Sequence, residues 1–321
     1  MPNDGPQQTN MSEQGARFSL ARYWEGQRRR RRMVALSDAT MRAVVLSAGV
    51  LAILFVILIF VFLFAEAAPI LKEHSLADMF WGREWRPTSQ PERFGLLPLV
   101  VGSLMLTAAA SVLAVPLGLA GAIYIAELAS PRAQAVLKPF VELLAAVPSV
   151  VYGFLGLTLL APLVRRIFNL PTGLTGFTAS IILAYMALPT ILSLCDDAIR
   201  AVPQSIRLGS LALGTTKWQT IRYAVLPAAR PGIVPAVMLG IGRVIGETMT
   251  VLMVAGMAGT VPRSLFEPMR TMTGTIAAEM GEAARGSTHF HALFLVGALL
   301  FVITFIINLI ADIAIRRRQP K

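Results

Sequence analysis

The chain has 321 residues, of which 55% are hydrophobic and only 15% charged, and its mean hydropathy is +0.65. A soluble domain could not hide that much apolar surface, so the composition predicts an integral membrane protein. The net charge of +11 does not signal nucleic acid, because the charges cluster between apolar runs as membrane-flanking residues do. Cys195 is the only cysteine, which excludes an intramolecular disulfide and a multi-cysteine metal site.

Residues 1 to about 35 are polar and low in aromatics and read as a disordered cytoplasmic tail. The arginines from Arg28 to Arg32 precede an apolar run, and Ala65-Glu66-Ala67 resembles a small-residue cleavage site. The run from Ala43 to Phe64 is 22 residues long. That exceeds a signal-peptide core of ~7–15 and matches a spanning helix of ~20, so it is read as a retained first helix.

Six apolar segments are long enough to span a bilayer: 43–65, 96–126, 138–163, 177–196, 232–257 and 290–315. Pro116, Pro148, Pro189 and Pro235 fall inside them, as a bundle tolerates when neighbours re-satisfy the freed carbonyls. With the N-terminus inside, the loops and tails hold 19 Lys and Arg inside against 9 outside. This asymmetry predicts both termini on the cytoplasmic side, with Arg316, Arg317 and Arg318 anchoring the last helix there. The outer loop 66–93 carries Phe80, Trp81 and Trp85, an interfacial aromatic belt or a short helix lying on the membrane. The outer loop 258–289 is long, which predicts that it is functional or ordered against the bundle. His289 and His291, at the start of the last apolar run, read as interfacial residues rather than metal ligands. No P-loop GxxxxGK[ST] is present.

Two stretches carry the functional argument. Between segments four and five, Ile206, Leu211, Leu213, Trp218 and Ile221 alternate with Arg207, Lys217 and Arg222. This predicts two short amphipathic helices joined at Gly214-Thr215-Thr216, with Thr216 and Gln219 as a capping box. Helices of this kind that do not span suggest a docking site for a soluble partner. An interfacial helix without a partner and, more weakly, a DNA-binding helix-turn-helix are the other readings of the pattern.

The second stretch is GIGRVIGETM. Arg243 and Glu247 are spaced i, i+4 and can pair on one helix face. Counted from Ile233 at ~1.5 Å per residue, Arg243 lies about 15 Å along the span, near the membrane midplane. A lone charge there costs on the order of 3 kcal/mol, so the pair faces the bundle or a wet cavity. The alternatives are a pathway that meets an anion and a buried structural ion pair. Gly242 and Gly246 form GxxxG beside the charges and predict close approach of a second helix.

The loop resembles the EAA motif of ATP-binding-cassette importer permeases, with Gly214 as its glycine and Leu226-Pro227 at the expected distance. It departs where Leu208-Gly209-Ser210 stands for Glu-Ala-Ala and Ala224 for Ile, which leaves open how the first coupling helix is held. GIGRVIGETMTVLMVAG, FWGREWRPTSQPERFGLLPLVVGS, VPSVVYGFLG and MTGTIAAEMGEAARGSTHFHALF resemble phosphate importer permeases of the PstC type.

The resemblance implies an all-α polytopic inner-membrane protein of the type I importer permease class. Its parts would be a basic cytoplasmic tail (1–40), a first transmembrane helix (41–70), a permease core (71–315) with a coupling loop at about 198–231, and a basic cytoplasmic end (316–321). It implies a phosphate pathway at Arg243 and Glu247, with Gly242 and Gly246 packing beside it. ATPase coupling would fall to Leu213, Gly214, Lys217, Trp218, Leu226 and Pro227. Implied partners are a PstA-type permease, a PstB-type ATPase dimer and a PstS-type phosphate-binding protein. ATP and Mg²⁺ would belong to the ATPase, and this chain would hold no cofactor, no metal and no nucleic acid. Another oxyanion (phosphonate, sulfate or molybdate) or a stand-alone secondary transporter are the alternatives.

Overall fold

The computed structural model describes residues 40–316. The basic N-terminal tail, Arg317 and Arg318 lie outside the described residues, as does the side chain of Arg316. The chain divides into two compact units, Met1–Phe62 and Leu63–Lys321. The described part of the first unit is one uninterrupted apolar helix, the beginning of α1 (residues 40–67).

Among the described residues, six helices are long and apolar enough to cross a membrane: Thr40–Lys72, Leu97–Leu128, Ser149–Ile167, Gly176–Arg200, Lys217–Ile245 and Thr288–Ile310. Hydrocarbon offers the backbone no partner, so each such run satisfies its N–H and C=O groups internally as helix. In chain order after α1 come α2 (Leu76–Trp81) and a hairpin of β1 (Trp85–Arg86) with β2 (Arg93–Phe94). They are followed by α3 (Leu97–Ile123, continued by a π turn to Leu128) and α4 (Pro131–Ala145). Then come α5 (Ser149–Ile167), α6 (Gly176–Arg200), α7 (Gln204–Ala212) and α8 (Lys217–Ile245). The chain ends with α9 (Met249–Val254), α10 (Met272–Glu279) and α11 (Thr288–Arg316).

The hairpin is the one departure from an all-helical reading among the described residues. It turns Trp85 inward, where the ring is buried and its Nε1 donates to Glu279 at 2.9 Å. Trp85 is therefore a core residue, whereas Trp81 and Phe80 are exposed as an interfacial belt requires. Glu279 also lies 2.9 Å from His289 Nε2 and pairs with Arg270, so one carboxylate ties the hairpin, the long loop after α9 and the start of α11 together.

Two span boundaries differ from expectation. The segment 138–163 breaks at Pro148, which caps α5 while α4 ends at Ala145. The residue before a proline avoids helical backbone, so one apolar run becomes two helices. Lys138 then lies on α4, outside the span, bonded to Asp197 at 2.8 Å and to Asp196 at 3.2 Å. The hydrogen bond that this ammonium donates to Asp197 raises its pKa. The fifth span starts at Lys217 rather than 232, continues through a π turn at Ile221–Val225, and ends at Ile245.

The core centres on α6, which packs along α3 and α8 and also meets α4, α5 and α9. Small residues set the spacing. A Cβ added at Gly118 of α3 would lie 2.8 Å from Ile191 of α6, and one at Gly240 of α8 would lie 2.3 Å from the same side chain. Ile191 is thus clamped between two glycines, the close backbone approach on which helix packing in membranes depends.

Candidate functional site: a membrane-depth arginine and an exposed helical corner

Arg243 stands in the last turn of α8, where the helix dipole favours a cation. Gly246 caps the helix, Glu247 follows outside it, and Thr248 begins α9. The i, i+4 pairing needs an unbroken helix, and the helix ends between the two residues. Arg243 Nη1 instead donates to Thr190 Oγ1 at 2.8 Å. The Glu247 carboxylate accepts from the Thr250 backbone N–H at 3.1 Å and so caps α9. Its carbonyl accepts from the Thr273 hydroxyl at 2.9 Å, and the Thr250 hydroxyl donates to the Ser149 carbonyl at 3.0 Å. The break is therefore tied to the start of α5 and to α10.

The glycines beside the charges also differ from expectation. Nothing lies within 4 Å of a Cβ added at Gly242, and Gly246 meets only carbonyls of its own helix. Within this chain neither packs a second helix; Gly240 does that work two residues earlier. Next to Arg243, Tyr152 lies within electrostatic reach and meets Tyr185 edge-on at 5.6 Å. Tyr185 is 47% exposed and Arg243 half-buried, so this polar surface at membrane depth is left uncovered by the chain itself.

The expected corner forms as two helices. α7 has no buried residue and ends at Leu213, which is 86% exposed. Gly214 follows at φ 81°, the left-handed conformation that favours glycine after a helix. Thr216 and Gln219 form the expected capping box, with Thr216 N–H donating to Gln219 Oε1 at 2.8 Å. Thr215 Oγ1 lies 2.8 Å from Ser210 Oγ and 2.9 Å from Thr220 Oγ1, closing the angle between the helices. Leu213, Gly214, Lys217 and Trp218 gather at this corner with Trp218 55% exposed. Leu226 and Pro227 do not: they lie on α8 beyond the π turn, Leu226 against the core and Pro227 exposed.

The sequence reading missed the anchor of α7. Arg207 donates to Glu127 Oε1 through Nε at 3.0 Å and Nη2 at 2.7 Å, to the Ile199 carbonyl at 2.9 Å, and to the Val202 carbonyl. Nearby, the buried Asp196 takes Arg200 Nε at 2.9 Å. Its i, i+4 spacing to Arg200 was a readable signal. No local pattern marks Arg207 for Glu127, or Thr190 for Arg243.

A bundle of membrane-length helices with an exposed helical corner leading into one span is the architecture of type I ABC importer permeases. A chain of the MetNI methionine ABC transporter, solved in inward-facing conformations, has this fold; it is 19% identical, with a TM-score of 0.57 over 73% of this chain and 100% of that one. The chain belongs to the binding-protein-dependent transport system inner membrane component family, which it matches over residues 114–320. It is 41% identical to the probable ABC transporter permease protein YqgH of Bacillus subtilis (strain 168), over 73% of this chain and 76% of that protein. It is 35% identical to the phosphate transport system permease protein PstC of Mesorhizobium japonicum, over 89% of this chain and 92% of that one. The protein is thus a multi-pass inner-membrane permease subunit of an ABC importer.

Proposed function

We propose that the imported cargo is phosphate and that it passes Arg243. The observation that carries this reading is a half-buried guanidinium at membrane depth with no described carboxylate paired to it. Thr190 occupies one of its five N–H donors, which leaves others for cargo. Arginine offers a phosphate oxyanion two parallel hydrogen bonds. Relatives that carry the name phosphate transport system permease support phosphate over other oxyanions.

In this reading a PstA-type permease covers the open surface at Tyr185 and Arg243 and completes the pathway. A PstB-type ATPase dimer seats the corner at Leu213, Gly214, Lys217 and Trp218, and a PstS-type binding protein delivers phosphate from outside. ATP and Mg²⁺ are held by the ATPase, and this chain contributes no cofactor site. Both termini are cytoplasmic. Gly242 and Gly246 leave the approach to Arg243 free of side chains. Glu247 competes with cargo for Arg243 when α8 moves and its bond to Thr250 opens.

The test is labelled phosphate uptake by the reconstituted assembly, with and without ATP, for Arg243→Lys and Glu247→Gln. Uptake should require ATP and fall about tenfold in the lysine variant, which loses the planar double hydrogen bond. Unchanged uptake in both variants would reduce Arg243 to a structural cation. An intact assembly that moves no phosphate with ATP would redirect the reading to another oxyanion.

A further inference from the structure

An open recess of about 560 Å³ lies at the corner between α5 and α6. Because α6 ends at Arg200 beside α7, this corner sits at the opposite end of the bundle, the outer end in the orientation proposed above. Its rim carries Arg165, Arg166, Asn169 and Thr172, and its wall is Leu157, Ala161 and Pro162. No carboxylate lines the recess, and among the described residues none pairs with either arginine. Elsewhere at this end Arg86 and Arg93 share the Glu84 carboxylate, and Arg270 pairs with Glu279. A second recess, of about 370 Å³, sets Asp78, Glu84 and Glu92 against its own arginines.

The rim is preformed. Asn169 holds the left-handed turn at φ 50°, a conformation asparagine tolerates better than most residues. Gly173 presses so closely on α5 that an added Cβ would lie 1.8 Å from the Ala161 carbonyl oxygen. The buried Thr178 hydroxyl donates to the Gly173 carbonyl at 2.7 Å. Thr172 Oγ1 accepts from Leu174 N–H at 3.1 Å, which leaves the hydroxyl proton to be donated outward.

Both cations stand in the last turn of α5, where the carbonyl end of the helix favours positive charge and, among the described residues, no side chain offsets it. Loops on this side are also where arginine is disfavoured. The apolar wall reaches Leu157, eight residues before Arg165 and so about 12 Å deeper along the helix. A cationic rim above an apolar wall fits an amphiphile with an anionic head.

We propose that this recess binds a phosphate group, held between Arg165 and Arg166 and hydrogen-bonded by Asn169 and Thr172. The group comes from an anionic phospholipid or from inorganic phosphate, and the apolar wall favours the lipid. The site is separate from Arg243 and does not rest on the cargo assignment.

The test uses the full chain in detergent micelles. Phosphatidylglycerol binding is read by native mass spectrometry and inorganic phosphate binding by equilibrium dialysis. Arg165→Gln/Arg166→Gln is compared with Arg83→Gln/Arg263→Gln, which removes two outer-end charges elsewhere. Lipid binding should weaken about thirtyfold in the first variant and hold in the second, the effect expected of two basic residues at a membrane surface. Loss of inorganic phosphate binding alone in the first variant would assign the site to the free ion. If the first variant binds both probes as the parent chain does, or if the control loses as much, the site does not exist. Both arginines are exposed, and an unchanged melting temperature verifies that the variants fold.

Discussion

Arg243 and Glu247 are neighbours in sequence that the fold assigns to different tasks. The arginine reaches across to Thr190 on α6, while the glutamate caps α9 through the Thr250 N–H. Each therefore has a structural bond that a functional substitution also disturbs, and the two effects are separable. Glu247→Gln keeps an oxygen to accept from Thr250, so its melting temperature should stay near that of the parent chain. Glu247→Ala loses the cap and should cost about 1 kcal/mol in thermal unfolding. If the glutamine variant melts normally but transports poorly, the carboxylate charge matters beyond the cap. Equal losses of stability and uptake in both variants would leave Glu247 a capping residue only.

At the scale of elements, close packing and the anchoring of α7 make the sharpest claims. Gly240 faces Ile191 with no room for a side chain, whereas Gly242 faces open space. Gly240→Val should destabilise the chain by ~1–3 kcal/mol through overpacking. Gly242→Ala should leave melting unchanged and report through uptake, if at all. The reverse ranking would mean that α8 is rotated from the position described here. For α7, Arg207→Ala removes the cation from a carboxylate that is only 10% exposed. Stranding one partner of a buried pair costs about 3–5 kcal/mol. In the assembled importer, α7 should then yield under the ATPase, so that ATP hydrolysis continues while uptake falls. Coupled transport at the parent ratio would show that the Arg207–Glu127 pair is not needed to hold α7 in place.

Across the permease core, one helix links the exposed corner to Arg243. α8 has 29 residues from Lys217 to Ile245, or about 43 Å at 1.5 Å per residue. It begins at the exposed corner and carries Arg243 in its last turn, with the left-handed Gly214 before it and the Gly246 cap after it. A force on the corner therefore acts on the same helix that presents the arginine, by way of the π turn at Ile221–Val225 and past Pro231 and Pro235. The proposed coupling to an ATPase requires the corner to face the cytoplasm. Leu213→Cys should be labelled by an impermeant thiol reagent only in inside-out vesicles, and Arg285→Cys only in right-side-out ones. The native Cys195 is buried and adds little background. Labelling of both positions from one side would reject the orientation.

Much of this was legible in the amino-acid order because it depends on contiguous stretches. Runs of about 20 apolar residues mark spans wherever they occur. The capping box at Thr216 and Gln219 closes over three residues, and Gly214 follows the helix it ends, so the corner could be read before any fold was known. The tertiary structure alone decided the partnerships between distant residues. Thr190 is 53 positions from Arg243, Glu127 is 80 from Arg207, and Glu279 is 194 from Trp85. Such pairs depend on helix rotation and on where each helix stops, which packing against neighbours sets. Those same two variables separated Arg243 from Glu247, moved the close contact from Gly242 to Gly240, and continued the second helix of the corner into the span.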